Sequence, residues 1–148
     1  MPRISRFSGT NFLCKPSPYG FGIRFYVAED KSVFVATQFD EHIEGGPGIL
    51  HGGAIAAVLD EAMGTAAFEA GSPGFTASMS YDYKAHIPLY QDVMIRAWIE
   101  RIEGKKVFAA CEACLADGTI AVKGTALFIA SDVLKAQLEK YPFIPENE

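Results

Sequence analysis

The stretch that decides the fold is GILHGGAIAAVLDEAMGTAAFEA, residues 48–70. From about residue 53 to residue 70 it is built mainly of Ala, Ile, Val, Leu and Met, a helical composition. Gly71-Ser72-Pro73-Gly74 follows as a stop signal. Ile55, Val58, Leu59, Ala62, Met63, Ala66 and Ala67 lie nearly all the way round the axis. A helix that is apolar on most sides is buried, so something large must wrap it.

The flanking sequence supplies the wrapper. Downstream, Phe75 to His86 alternates, with Thr76, Ser78, Ser80, Asp82 and Lys84 on one face and Phe75, Ala77, Met79, Tyr81 and Tyr83 on the other. Asp92 to Glu103 alternates in the same way. Val107 to Ala116 and Thr119 to Ala130 flank a strong hairpin signal, Asp117-Gly118. Upstream, Phe21 to Ala28 and Ser32 to Phe39 read as a hairpin about Glu29-Asp30-Lys31, and residues 40–50 as a loop. Residues 131–140 fit a short helix. Residues 1–20 read as an irregular lead-in and 141–148 as a frayed tail. The expectation is one α+β domain over residues 1–148, an antiparallel sheet wrapped around one central helix.

Composition narrows the function classes. The chain has 148 residues, 49% hydrophobic and 21% charged, enough for one substantial core. The net charge is −5 and no long basic stripe occurs, so no nucleic-acid partner is expected. Asp60, Glu61 and Glu69 interrupt the most apolar stretch, which argues against a membrane span. The opening, Met1 to Phe7, lacks the apolar segment of a secretory signal, and a cytoplasmic location is expected. Cys111 and Cys114 form a CxxC, but an i, i+3 offset in a strand turns two thiols to opposite faces. With no second CxxC to complete a zinc site, no metal is expected. The cysteines read as small apolar residues in a reducing compartment.

The same helix carries the candidate chemistry. Gly52 and Gly53 stand at its start, where unpaired N–H groups and a partial positive charge can hold an anion or a developing oxyanion. The glycines equally fit a tight turn beneath a sheet. Asp60 and Glu61 sit mid-helix in apolar surroundings, where an unpaired carboxylate costs several kcal/mol, on the order of a buried charge, or shifts its pKa. Adjacent residues are about 100° apart around the axis, so either one acid faces a cleft and the other a partner or solvent, or both lie exposed at a helix edge or pair with Arg or Lys. Gly52 and Asp60 are separated by roughly 12 Å along one helix, too far to touch one carbonyl. Two antiparallel helices across a two-fold axis bring the glycine end of one to Asp60 of the other. Thr76 and Ser78 start the next strand on a shared face, where a hydroxyl can orient water or the carboxylate.

These residues resemble the hotdog-fold thioesterase superfamily, in its PaaI-like branch. The spacing from His51 to Asp60 matches that from the HGG histidine to the family's catalytic acid. EGGPGILHGG resembles the family's pre-helix loop, TASMSYDYKAHIPL its following strand, and EGKKVFAACEACLADGTIAVKGTALFI its closing hairpin. NFLCKPSPYGFGIRF is similar to an opening with Cys and Asn-Pro found in part of the family; here Cys14, Pro18 and Gly20 remain and Ser17 replaces the Asn.

The resemblance implies hydrolysis of an acyl-CoA thioester without a cofactor. In that reading Asp60 activates water as general base or attacks as nucleophile. The Gly52 amide polarises the carbonyl, His51 shapes the loop or holds the thioester, and Thr76 is the hydroxyl beside the carboxylate. Gly53, Glu61, Ser78 and Lys84 complete the expected substrate contacts. Lys84 and His86, or Lys105 and Lys106, are candidates for the CoA phosphates. Relatives assemble as homodimers, often paired into tetramers. One position departs from the pattern: Gly45 stands where many relatives carry Asn or Gln. Two other readings stay open. A hotdog enoyl-thioester hydratase or dehydratase needs His42 or His51 converging with Asp60 or Glu61. A non-catalytic acyl-CoA-binding module is compatible with Gly45.

Overall fold

In the computed structural model, which describes residues 2–5 and 11–140, the apolar stretch is helix α1, Gly52–Glu69. Its seven apolar positions named above are all buried. The helix closes at Gly71, whose φ of +83° suits glycine. Gly71 N–H donates to Phe68 O and Ser72 N–H to Ala67 O, both at 2.9 Å, the Schellman pattern that satisfies the last carbonyls.

Among the described residues, seven strands form one antiparallel sheet: β1 (Arg3–Ile4), β2 (Tyr26–Val27), β3 (Val33–Thr37), β4 (Gly74–Tyr83), β5 (Val93–Glu103), β6 (Lys106–Leu115) and β7 (Ile120–Ala130). Their order is β1-β2-β3-β5-β6-β7-β4. A short helix α2, Asp132–Lys140, follows. Helix α1 packs on the sheet from β3 to β7. Phe25, Phe39, Ile95, Val107 and Phe128 fill the layer between them. Although β4 follows α1 directly, it crosses to the far edge beside β7, leaving its other side unpaired among the described residues.

The expected sheet and helix are present, with corrections at the N-terminal side. Phe21 to Ala28 is not one strand; only Tyr26 and Val27 pair with β3. Gly22, at φ +66°, bends the chain, and the N–H groups of Phe21 and Ile23 turn to Leu13 O instead. The lead-in is more ordered than expected, since it contributes β1 and a 3-10 turn, Phe12–Cys14. The loop at 40–50 likewise holds a 3-10 turn, Glu41–Ile43. Cys111, opposite buried Ala97 and Gly124, faces the core; Cys114, opposite exposed Met94, faces outward. The expected tail at 141–148 lies outside the described residues.

Two contacts fix α1 against its surroundings. Gly124 on β7 leaves room for the Tyr81 ring: a Cβ there would stand 2.4 Å from that ring and 2.9 Å from Cys111 Sγ. On another side the lead-in lies over the acids of the helix. Arg3 and Ser5 both bind the Glu69 carboxylate, Ser5 Oγ at 2.8 Å, and Asn11 Nδ2 donates to Glu61 Oε1 at 3.2 Å. Burial, with the neighbouring Asp60 charge adding to it, raises the Glu61 carboxyl to about 7.

Both contacts are testable in urea unfolding. Gly124→Ala should lose about 1–3 kcal/mol through overpacking against Tyr81. Glu61 binds its proton more tightly folded than unfolded, so its contribution is fully present below about pH 4.5 and is lost as pH rises to about 7. Relative to wild type, Glu61→Gln should therefore gain about 3 kcal/mol between pH 4.5 and pH 8. A wild-type-to-Gln difference that is flat across this range would contradict the assignment.

Candidate active site

The helix start is built by the chain doubling back on itself. His51 N–H donates to Ile43 O, and Gly45 N–H to Ile49 O, at 2.9 and 2.8 Å. This return brings Gly45 so close that a Cβ would stand 2.9 Å from His51 Cα. The backbone path therefore excludes the Asn or Gln side chain that the resemblance places here. His51, in extended conformation, is the N-cap of α1, and its Nδ1 accepts Gly53 N–H at 2.9 Å. A nitrogen that accepts here carries no proton, so the neutral ring holds its proton on Nε2.

Gly52 lines a cavity of about 440 Å³ together with Ile49, Ile55, Tyr83, Lys84 and His86. The structure thus brings Gly52, Lys84 and His86 together. Lys105 and Lys106 lie elsewhere, in the β5–β6 hairpin, where Lys106 stands opposite Ile129 of β7. Asp60 is not among the residues of this cavity.

Asp60 is half-buried on the side of α1 that faces β4, where Thr76 Oγ1 donates to its Oδ1 at 2.7 Å. This contact depends on a β-bulge at Ala77. Thr76 pairs with Phe128 but Ser78 pairs with Leu127, so Ala77 is the extra residue. Directly opposed residues share a face, and Phe128 is core. Thr76 therefore faces the helix, while Ser78 faces outward with Ser80 and Asp82. The expected shared face of Thr76 and Ser78 is thus incorrect: one inserted residue reverses the alternation. Glu61 also departs from its expected place, because it turns to Asn11 and the lead-in, away from the cavity.

Two tyrosines that sequence reasoning placed only in an alternating strand join the site. Tyr81 Oη donates to Ala56 O at 3.2 Å and Tyr83 Oη to Gly52 O at 2.8 Å. Burial raises the Tyr81 hydroxyl far above its ordinary value, with smaller effects from Cys111, Asp60 and Tyr83. The useful signal was the i, i+2 spacing of the tyrosines, with Tyr81 opposite Gly124, the one glycine of β7.

The chemistry on offer is a carboxylate with one oxygen held by a hydroxyl, and a helix-start amide beside a cavity of mixed polar and apolar lining. That pairing suits attack on a carbonyl whose oxygen gathers charge. Ser17, His42 and Asp40 also meet, at 3.1 and 3.0 Å, but both bonds fall on His42 Nδ1. A serine relay needs the two ring nitrogens separately engaged, so this cluster is not one.

The comparisons agree with this architecture. The family description "Thioesterase superfamily" matches residues 47–122, about half of the chain. Acyl-coenzyme A thioesterase THEM4 of Rattus norvegicus is 38% identical over 109 residues, 73% of this chain and 47% of that protein. Acyl-coenzyme A thioesterase THEM5 of Homo sapiens is 33% identical over 123 residues, 82% of this chain and 47% of that protein. The chain spans about half the length of the curated relatives it matches. A solved thioesterase superfamily protein superposes with a TM-score of 0.70 at 29% identity, covering 72% of this chain and 53% of that one. A Streptococcus mutans protein bound to acetyl CoA gives 0.69 at 17% identity, covering 74% and 88%, a likeness of fold. With its sheet-wrapped helix, its HGG turn and the matched residues 47–122, this chain belongs to the thioesterase superfamily, with the hotdog fold.

Proposed function

We propose that the chain hydrolyses acyl-CoA thioesters to free acid and CoA, at a site shared by two copies. The observation that carries the reading is the Thr76–Asp60 hydrogen bond at the open edge of the sheet. Thr76 engages Oδ1, which leaves Oδ2 to take a proton from water or to attack the thioester carbon. Either route puts negative charge on the carbonyl oxygen, which the Gly52 amide of the other copy receives. Lys84 and His86, at the cavity beside Gly52, supply cationic and polar groups for the CoA phosphates.

The need for a second copy follows from distance. Thr76 and Tyr83 are seven residues apart on β4, roughly 23 Å at about 3.3 Å per residue. Antiparallel pairing of two β4 edges about a two-fold axis near Met79 sets the Thr76 end of one strand beside the Tyr83 end of the other. Phe75, Met79 and Tyr83, exposed by 60%, 48% and 53%, are then covered. Pairing of such dimers into tetramers, membership of the PaaI-like branch and a cytoplasmic location complete the proposal. Cys111 and Cys114, reduced and on opposite faces, fit a reducing compartment.

The hydratase reading loses ground at its histidines. Neither converges with Asp60 or Glu61: His51 caps Gly53 N–H and His42 meets Asp40 and Ser17, while Asp60 takes Thr76 and Glu61 takes Asn11. The binding-module reading rested on Gly45, and that glycine has a steric cause in the turn.

Free CoA release across short, long and aromatic acyl-CoAs tests the proposal. Asp60→Asn should lower kcat by at least about a hundredfold, the usual worth of a catalytic carboxylate. Thr76→Val, which keeps the shape, should cost about tenfold. Full activity in Asp60→Asn contradicts the assignment. Light scattering should give about 64 kDa for the paired dimers and no less than about 32 kDa, twice the 16.0 kDa of the chain, and a fully active monomer would exclude the shared site.

A further inference from the structure

The first turn of α1 has four N–H groups without partners inside the helix. Three are engaged. His51 N–H goes to Ile43 O at 2.9 Å, Gly53 N–H to His51 Nδ1, and Ala54 N–H to His51 O at 3.0 Å. Of the four, Gly52 N–H alone has no hydrogen-bond partner among the described residues. His51 thus works as a cap that sorts the amides and leaves one available.

The opposite side of the turn is held by β4. Tyr83 donates to the Gly52 carbonyl, and Tyr81 to the carbonyl of Ala56, one turn further on. The spacings match. Two residues along a strand advance about 6.7 Å, and four along a helix about 6 Å. A side chain at position 52 would begin 3.7 Å from the Tyr83 ring, so the ring lies in van der Waals contact with the turn. Tyr83 also walls the cavity that Gly52 lines. Tyr81, its ring edge-on to Tyr83 at 6.5 Å, backs it from the core.

We propose that Tyr83 is a positioning residue for the Gly52 amide: its hydroxyl grips the Gly52 carbonyl while the His51 cap engages the neighbouring N–H, so one free amide is held at a fixed place on the cavity wall. This rests on the hydrolase reading for its catalytic consequence, but the clamp itself is a structural claim. Tyr83 touches the helix backbone, and its effect on reaction passes through Gly52. His51, on the same argument, serves by capping and not as a base.

The test is Tyr83→Phe, which keeps the ring and removes the hydroxyl, read in two independent ways. Amide hydrogen exchange over residues 52–56 should quicken at least about fivefold, as expected when a local restraint is lost. Turnover should fall about tenfold in kcat with KM within twofold, by the same factor for short, long and aromatic acyl-CoAs, because the carbonyl is common to all. A loss that appears in KM and varies with the acyl group marks Tyr83 as a mere cavity wall and overturns the proposal. Unchanged exchange overturns it whatever the activity. If the wild type releases no CoA from any substrate, the hydrolase reading fails, and exchange still decides the clamp. His51→Asn, which retains a good capping side chain, should keep exchange over residues 52–56 within about threefold of wild type, whereas His51→Ala should not. Equal losses in both variants would contradict the capping role.

Discussion

An ionisable side chain can sit on an almost wholly apolar helix only where the wrapping sheet stops. Helix α1 is covered by strands β3 to β7, and β4, the last of these, is an edge. Asp60 occupies that seam. Inside the wrap a carboxylate would pay the full cost of desolvation; at the seam it keeps one side open and takes a hydroxyl from Thr76 on the other. Its neighbour Glu61, rotated away from the seam and covered by the lead-in, shows the alternative outcome, with its carboxyl raised to about 7. Two adjacent acids thus have opposite environments because the sheet has an edge.

The remaining features of the site serve the same seam. The bulge at Ala77 turns Thr76 inward, whereas unbroken alternation would have left it on the outward face with Ser78. Further along β4, Tyr81 and Tyr83 fasten the strand to the first two turns of α1. One edge strand therefore organises both halves of the chemistry, the carboxylate at one end and the glycine turn at the other. Those halves are separated within one copy, and the proposed two-fold pairing of the edge would unite them.

Much of this was legible in the sequence, and the failures have physical causes. The helix was readable because its apolar residues surround the axis and Gly71 ends it. The four downstream strands were readable from alternation and from Asp117-Gly118. The placement of Asp60 and Thr76 together was legible as a resemblance, but the alternation that put Thr76 with Ser78 was misleading. A bulge leaves no mark in a binary pattern, since it depends on the pairing with Phe128 and Leu127. β1 was missed because two residues make no periodicity, and its anchor is the distant Glu69. Phe21 to Ala28 looked like a strand because its apolar residues do face the core, although the N–H groups of Phe21 and Ile23 turn to Leu13. Tyr83 was visible only as a strand residue because its partner is a backbone carbonyl, which no sequence pattern marks.

The central claim is that one copy supplies the carboxylate and the other the amide, and subunit complementation tests it most directly. Gly52→Pro removes the amide while keeping a residue suited to the first helical position, and His51 is already extended before it. Asp60→Asn removes the carboxylate. Each variant alone should be inactive. After mixing and reassociation, half of the dimers are hybrids with one intact site each, so activity should return to about a quarter of wild type. Mixtures that stay inactive despite proven subunit exchange would show that each copy works with its own helix start, and would contradict the account.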